Sequence, residues 1–408
     1  MGVNVAPQNL SVLIDFLLFA ATLAGVAVFH RHTLAAALLG LGAITLKKLL
    51  GDGFAEGAGL AGLFAHFGHE WVLLANLFLL LVGFAVLARH FEASRVPDWM
   101  PAALPDNWTG GFVLLCLVFV VSSFLDNIAA ALIGATVARE VFKGRVRVGY
   151  LAAIVAAANA GGAGSVIGDT TTTMLWIAGV SPLSVLHAYV AAVCALVISG
   201  IPASLAQQKY APIVKDPPSG LRISFRHLGV VIVVLAAAIA ANVGAHLLDA
   251  RMLDEVPLIG LAVAAAIVVT TPVARPDWSI LPGAARGALF LIALVSAASM
   301  MPVKSLPLPG WETAFGLGFV SAVFDNIPLT ALAIKQDNYD WGFLAYAVGF
   351  GGSMIWFGSS AGVAVAGLMG EARSVVRWLT EGWPVVVGYV VGFFIMLALL
   401  GWNPEILS

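Results

Sequence analysis

The sequence predicts an all-α polytopic membrane protein made of two inverted repeats, each with five spanning helices, one of them broken, and a re-entrant hairpin. Three observations lead there. Of 408 residues, 61% are hydrophobic and 10% charged, with a mean hydropathy of +0.98, which is too apolar for a water-soluble globule. The apolar runs are long and lack the period-2 alternation of barrel strands, so they read as helices, each needing about 20 residues to cross a ~30 Å hydrocarbon core. Finally, two motifs recur in the same order. Ser122-Ser123-Phe124-Leu125-Asp126-Asn127-Ile128 returns 199 positions later as Ser321-Ala322-Val323-Phe324-Asp325-Asn326-Ile327. Gly161-Gly162 through Ile167-Gly168-Asp169-Thr170 returns 190 positions later as Gly351-Gly352 through Phe357-Gly358-Ser359-Ser360.

Met1-Gly2-Val3-Asn4 carries no basic residue, and the run that follows is long for a signal peptide, so it reads as a retained span. Ala6 and Pro7 spoil a myristoylation pattern. Spans are predicted at about 10–29, 33–49 and 71–89. Between the last two, the Gly-rich stretch 51–70 with His66, His69 and Glu70 reads as a solvated loop or interfacial helix. Segment 108–141 is apolar except at Leu125-Asp126-Asn127. A charge at mid-membrane costs at least ~2.5–3.5 kcal/mol, and a hairpin that places the irregular tip against protein or a water-filled cavity relieves that cost. Segment 308–336 repeats the pattern around Asp325.

Segment 148–179 holds Gly161, Gly162, Gly164 and Gly168 in what would be a helix interior, where each Gly costs ~0.8–1 kcal/mol against Ala. A broken helix whose half-helix ends hold an ion accounts for them. Segment 341–369, with Gly351 and Gly352, repeats the device, and a span at 182–204 closes the first unit. The units are therefore 1–206, a Pro-rich linker 207–226 with Pro212, Pro217 and Pro218, and 227–408. The second unit runs through spans at 228–248, 256–274 and 284–302, then its hairpin and broken helix, and ends at 377–401 with Pro384 inside the last helix.

Five crossings per unit oblige the second copy to start from the opposite face, so the duplication is inverted and the two hairpins enter from opposite sides. On this topology fifteen of the 20 Lys and Arg lie on one face, and only Lys47, Lys48, Arg251, Lys304 and Lys335 lie on the other. The first face is then cytoplasmic, with both termini outside. Scattered basic residues and a net charge of −2 give no nucleic-acid signature. Cys116 and Cys194 sit in apolar helices and imply no disulfide. His30, His32, His90, His187, His227 and His246 fall near membrane ends, read as solvated, and show no metal-ligand spacing. Lys304 reads as an interfacial, snorkelling lysine.

Asp126 and Asp325 are the leading functional candidates, since an intramembrane carboxylate is a site by default. Asn127 and Asn326 read either as helix caps or as ligands. Asp169, before Thr170-Thr171-Thr172-Thr173, reads as an N-cap or a ligand. Asn159, Thr171, Ser359 and Ser360 offer neutral oxygens suited to a hard cation, or satisfy the broken backbone.

These residues carry a resemblance. Two hairpins and two broken helices in inverted halves resemble the ion transporter superfamily, and Asp126-Asn127-Ile128 with Asp325-Asn326-Ile327 is similar to its NhaD-type sodium/proton antiporters, where dicarboxylate members have Ser-Asn-Thr. Asn159-Ala160-Gly161-Gly162 and Ile167-Gly168-Asp169-Thr170-Thr171 are similar to the same family's first broken helix. Ala129 and Gly164-Ser165-Val166 depart from its pattern. The resemblance raises the functional reading of Asp169 above that of a cap. It implies a secondary antiporter in a bacterial inner membrane, with Na⁺ (or Li⁺) and H⁺ competing for Asp126, Asp169 and Asp325. A carboxylate taken out of water holds its proton more tightly, so such exchange is feasible near neutral pH. No cofactor is implied, and the partners are the lipid bilayer and a small cation, with a homodimer left open.

Two rival readings stand beside it. An organic-acid or arsenite-type anion transporter on the same fold would have to neutralise two hairpin carboxylates. A membrane hydrolase lacks a Ser/His/Asp or His-Glu-x-x-His arrangement, and no P-loop suggests an ATPase.

Overall fold

The computed structural model describes residues 7–29, 32–214, 222–248 and 255–407. Met1–Asn4, Ala6, His30, Pro217, Pro218 and Arg251, all named above, lie outside them, as do Arg31, Lys215 and Ser408. Among the described residues the fold is helical, without strands. Six helices among the described residues are long and apolar enough to span a membrane, and the chain is a multi-pass membrane protein.

The chain begins with α1 (Pro7–Val28), α2 (Thr33–Leu50), α3 (Gly59–Ala93) and the short α4 (Val96–Ala103). A helix–turn–helix follows, α5 (Trp108–Ser122) and α6 (Asn127–Val141), then α7 (Val148–Ala163), α8 (Thr170–Ile177), α9 (Pro182–Leu186) and α10 (Ala188–Tyr210). After it come α11 (Phe225–Leu248), α12 (Leu258–Thr270) and α13 (Leu281–Ser299), the helix–turn–helix α14 (Trp311–Ser321) and α15 (Asn326–Gln336), then α16 (Trp341–Gly351), α17 (Ser360–Leu368), α18 (Val375–Glu381) and α19 (Trp383–Leu400).

Both interruptions expected from sequence are present, at 164–169 between α7 and α8 and at 352–359 between α16 and α17. The paired motifs adopt matching backbones. Asp126 and Asp325 have φ/ψ of −50°/137° and −53°/140°. Asp169 and Ser359 have −145°/145° and −139°/153°. Ser122 Oγ donates to Ala158 O at 2.6 Å, and Ser321 Oγ donates to Val348 O at 2.6 Å, so each turn is fastened to its neighbouring broken helix in the same way.

Every residue of α7 and of α16 is buried, which places the two broken helices at the centre. The arms then cross between copies. Helix α6 packs on α17, and α15 packs on α8, so each turn's second arm meets the other copy's half-helix. Helices α1, α2, α3 and α13 pack together at one side and share an apolar cluster that includes Leu77, Leu294 and Met174.

Several expectations need correction. Residues 59–70 belong to α3, and His66 (1% exposed) and Glu70 (5%) are buried, not solvated, because His66 bridges Glu56 and Ser299 while Glu70 pairs with Lys335. His90 is likewise buried, its Nδ1 3.0 Å from that of His227. Lys48 lies buried at 2.7 Å from Asp15, between α2 and α1. The span expected at 377–401 is divided at Gly382 between α18 and α19, and Pro384 sits in the first turn of α19, where the missing N–H costs nothing. Gln207 is not linker but the buried last turn of α10, accepting from Arg147 N and donating to Arg145 O.

Candidate functional site

The two turns and the two breaks meet at one place because the crossed arms bring Asn127, Asn326 and Asp169 together. Asn127 and Asn326 open α6 and α15 as first helical residues, and the cap positions belong to Asp126 and Asp325. Asn127 Nδ2 donates to Asn159 Oδ1 and to Asp169 Oδ1, both at 3.1 Å. From the other copy, Asn326 Nδ2 donates to Asp169 Oδ2 at 3.4 Å, and the Thr171 hydroxyl donates to the same oxygen. Asp169 therefore lies buried between the tips of both turns.

It occupies the N-cap position of α8, yet its side chain makes no capping bond. Its carboxylate accepts instead from side chains of two other elements, Asn127 of α6 and Asn326 of α15, and from Thr171. The helix start is held by hydroxyls, with Thr172 donating to Ser165 O at 2.5 Å and Thr173 to Val166 O at 2.9 Å. Thr170 is half-buried as the first residue of α8.

Asn159 completes the link between copies. Its Nδ2 donates to Ser353 Oγ at 2.9 Å and to Ser359 Oγ at 3.1 Å. Ser359 is the counterpart of Asp169 under the 190-residue offset, and it caps α17 by accepting from Gly362 N at 3.2 Å. The counterpart of Asn159 is Gly349, and a Cβ there would stand 3.7 Å from Asp169 Oδ2. The two copies thus present the same backbone with different side chains: an acid in one break, a hydroxyl in the other.

The turn carboxylates differ as well. Asp325 Oδ1 accepts from Ile327 N at 3.0 Å, and its Oδ2 accepts from Ser360 Oγ at 3.0 Å. Asp126 makes no such cap, and its buried Oδ1 has no hydrogen-bond partner. Both are half-buried. Among the described residues no Lys, Arg or His pairs with Asp126, Asp169 or Asp325. Nor do any three acid, His or Cys side chains there converge closely enough to share one metal ion. Hydrogen bonds through Asn127 and Asn326 join Asp169 to the two turns that carry Asp126 and Asp325, making one polar path. An unpaired carboxylate in such surroundings calls for a proton or a cation.

The glycine pairs sit beside this path in a role that spacing did not reveal. A Cβ on Gly161 would fall 2.1 Å from Phe119 O, and one on Gly351 would fall 2.3 Å from Gly318 O. A Cβ on Gly162 would fall 2.9 Å from Asp169 Cβ, and one on Gly352 would fall 3.0 Å from Ser359 Cβ. These glycines let the first arms α5 and α14 lie directly on α7 and α16, and let each break fold back on its own helix.

No protein-family model matches the chain. It is 26% identical over 395 residues to the Na(+)/H(+) antiporter NhaD of Alkalimonas amylolytica, an alignment covering 82% of this chain and 79% of that protein. It is 27% identical over 371 residues to NhaD of Vibrio parahaemolyticus, covering 75% and 84%. The chain is similar to NhaD-type antiporters. The sodium/proton antiporter 1 of Arabidopsis thaliana is 29% identical over 339 residues, 74% of this chain but 58% of that protein, so the chain spans little more than half the length of this plant relative. The NhaD-like sequence carries one site residue that motif reading missed, Ser353, which directly follows Gly351-Gly352 and could have been found only through its bond to Asn159.

Proposed function

We propose that the chain is a secondary active sodium/proton antiporter in which Na⁺ (or Li⁺) and H⁺ compete for the carboxylates of Asp126, Asp169 and Asp325. The observation that carries this reading is Asp169, buried without a cationic partner and held by Asn127 and Asn326 from both turns. Asn159, Thr170, Thr171, Ser359 and Ser360 line the same path and supply neutral oxygens for a partly dehydrated cation. The likeness to proteins named as antiporters, not as enzymes, points the same way.

The finer architecture belongs to the same proposal. The α5–α6 and α14–α15 pairs are re-entrant hairpins, the repeats are inverted, and the face carrying most Lys and Arg is cytoplasmic. A cysteine placed at position 215 should then be labelled from the cytoplasmic side of oriented vesicles. Labelling from the exterior alone would reverse the orientation.

The functional test is competition. Lowering pH protonates the carboxylate and removes the cation site, so the apparent Na⁺ constant should rise about tenfold per pH unit on the acid side, in the one-proton limit of ~1.36 kcal/mol per unit. Sodium-induced proton efflux from proteoliposomes, measured across pH, checks this. A constant that does not move with pH, or succinate or arsenite uptake in its place, would favour the anion-carrier reading.

A further inference from the structure

A cavity of about 590 Å³ lies outside the site, among α3, α8, α13 and α15. It reaches the surface at the exposed Gly179 and Lys304. Both α8 and α15 begin at the site, with Thr170 and Asn326, and run their later turns along this cavity, where Met174 and Ala331 line it. At a 1.5 Å rise per residue those two side chains stand roughly 6–8 Å along their helices from the site. Met174, Ile327 and Ala331 are buried in one apolar cluster, so an apolar layer separates the cavity from Asp169.

The cavity wall holds an acid that the antiporter site does not use. Glu70 is 5% exposed and pairs with the ammonium of Lys335, which arrives from α15. A carboxylate buried to this degree needs a cation, and a lysine on a flexible stem is one that can be exchanged. Trp176, 3% exposed, also lines the cavity, and its indole N–H has no partner. Water in the cavity would satisfy it.

We propose that this cavity is an outer cation-binding vestibule of the transport path, with Glu70 as its ligand and the Lys335 ammonium as a tethered cation that the transported ion displaces. The proposal rests on the antiporter reading for its choice of ion. It explains why a lysine, and not an apolar residue, stands on the helix that begins with Asn326. A salt bridge that merely tied α3 to α15 would require neither the cavity nor the unpartnered indole.

Two substitutions separate these roles by sign. Lys335→Gln frees Glu70 and should lower the apparent Na⁺ constant, whereas Glu70→Gln should raise it, each by about threefold, the scale of a partly exposed ion pair. The Glu70→Gln, Lys335→Gln double variant should match Glu70→Gln alone. A structural tie would instead shift both constants in one direction and lower the melting temperature of both single variants.

A second readout needs no transport. In a background with Cys116 and Cys194 replaced by Ser, Ala178→Cys lines the vestibule and should react faster with a cationic than with an anionic methanethiosulfonate. That preference should grow in Lys335→Gln and disappear once Glu70→Gln is added. Equal rates throughout would overturn the vestibule even in a protein that exchanges sodium for protons. The charge preference in a protein without such exchange would keep the vestibule and remove the antiporter reading.

Discussion

Asp169→Asn should abolish cation-dependent proton movement while leaving a folded protein. The carboxylate accepts from Asn127, Asn326 and Thr171, and an asparagine keeps its size but turns one acceptor into a donor. The new amide then faces another amide, which costs about 1–3 kcal/mol for a buried donor left unsatisfied. Removing the charge from a buried ion site costs more, about 3 kcal/mol or above, or roughly a hundredfold in cation affinity. The expected signature is a melting temperature lowered by several degrees together with loss of sodium-induced proton efflux. The Asp126→Asn, Asp325→Asn pair should be equally inactive with less loss of stability, since both residues are half-buried and only Asp325 caps a helix. For an anion carrier these changes would relieve repulsion and preserve uptake. Retained pH-dependent exchange in Asp169→Asn would reduce Asp169 to a structural hub.

What the sequence made legible was whatever is local or repeated. Asp126 and Asp325 stood out because a charge in apolar sequence is costly and because each occurs at the same point of a duplicated motif. The breaks at 164–169 and 352–359 were legible because glycine disfavours helix in a few residues' compass. Contacts between copies were not legible. Asn159 reaches Ser353 and Ser359 across some two hundred residues, and nothing in the neighbourhood of Ser353 distinguishes it from the other small polar residues of the break. Burial of His66 and Glu70 was missed for a similar reason. A Gly-rich stretch holding polar residues resembles a loop until its partners, Ser299 and Lys335, arrive from far along the chain.

The cap positions of α6 and α15 are ambiguous in the sequence for a physical reason. Asp and Asn are both good N-caps, so Asp126-Asn127 and Asp325-Asn326 leave the cap position ambiguous. The backbone resolves it, since the aspartates are extended and the asparagines helical, and this frees the amides to reach Asp169. The site is therefore built on the second residue of each pair as much as on the first.

The glycine pairs carry the remaining large effect, and it falls on folding. The sequence accounts for Gly161-Gly162 and Gly351-Gly352 by broken helices whose half-helix ends hold an ion. The distances give them a packing role. Gly161→Ala would put a methyl 2.1 Å from Phe119 O and 3.0 Å from Phe119 Cα, and Gly351→Ala would put one 2.3 Å from Gly318 O. The obstruction is helix backbone, which cannot rotate aside as a side chain can. Overpacking ordinarily costs ~1–3 kcal/mol, and a clash with backbone belongs at or above the upper end. Each variant should lose most of its folded yield in detergent, and leucine should lose all of it. Gly316→Ala is the matched control, because it lies on the same arm as Gly318 with nothing within 4 Å, and it should hold or raise the melting temperature through helix propensity. Gly161→Ala that melts like the unaltered protein but no longer binds sodium would return the pair to the ion site. Joint failure of Gly161→Ala and Gly351→Ala to fold, beside an intact Gly316→Ala, would place their function in packing each turn's first arm against its broken helix.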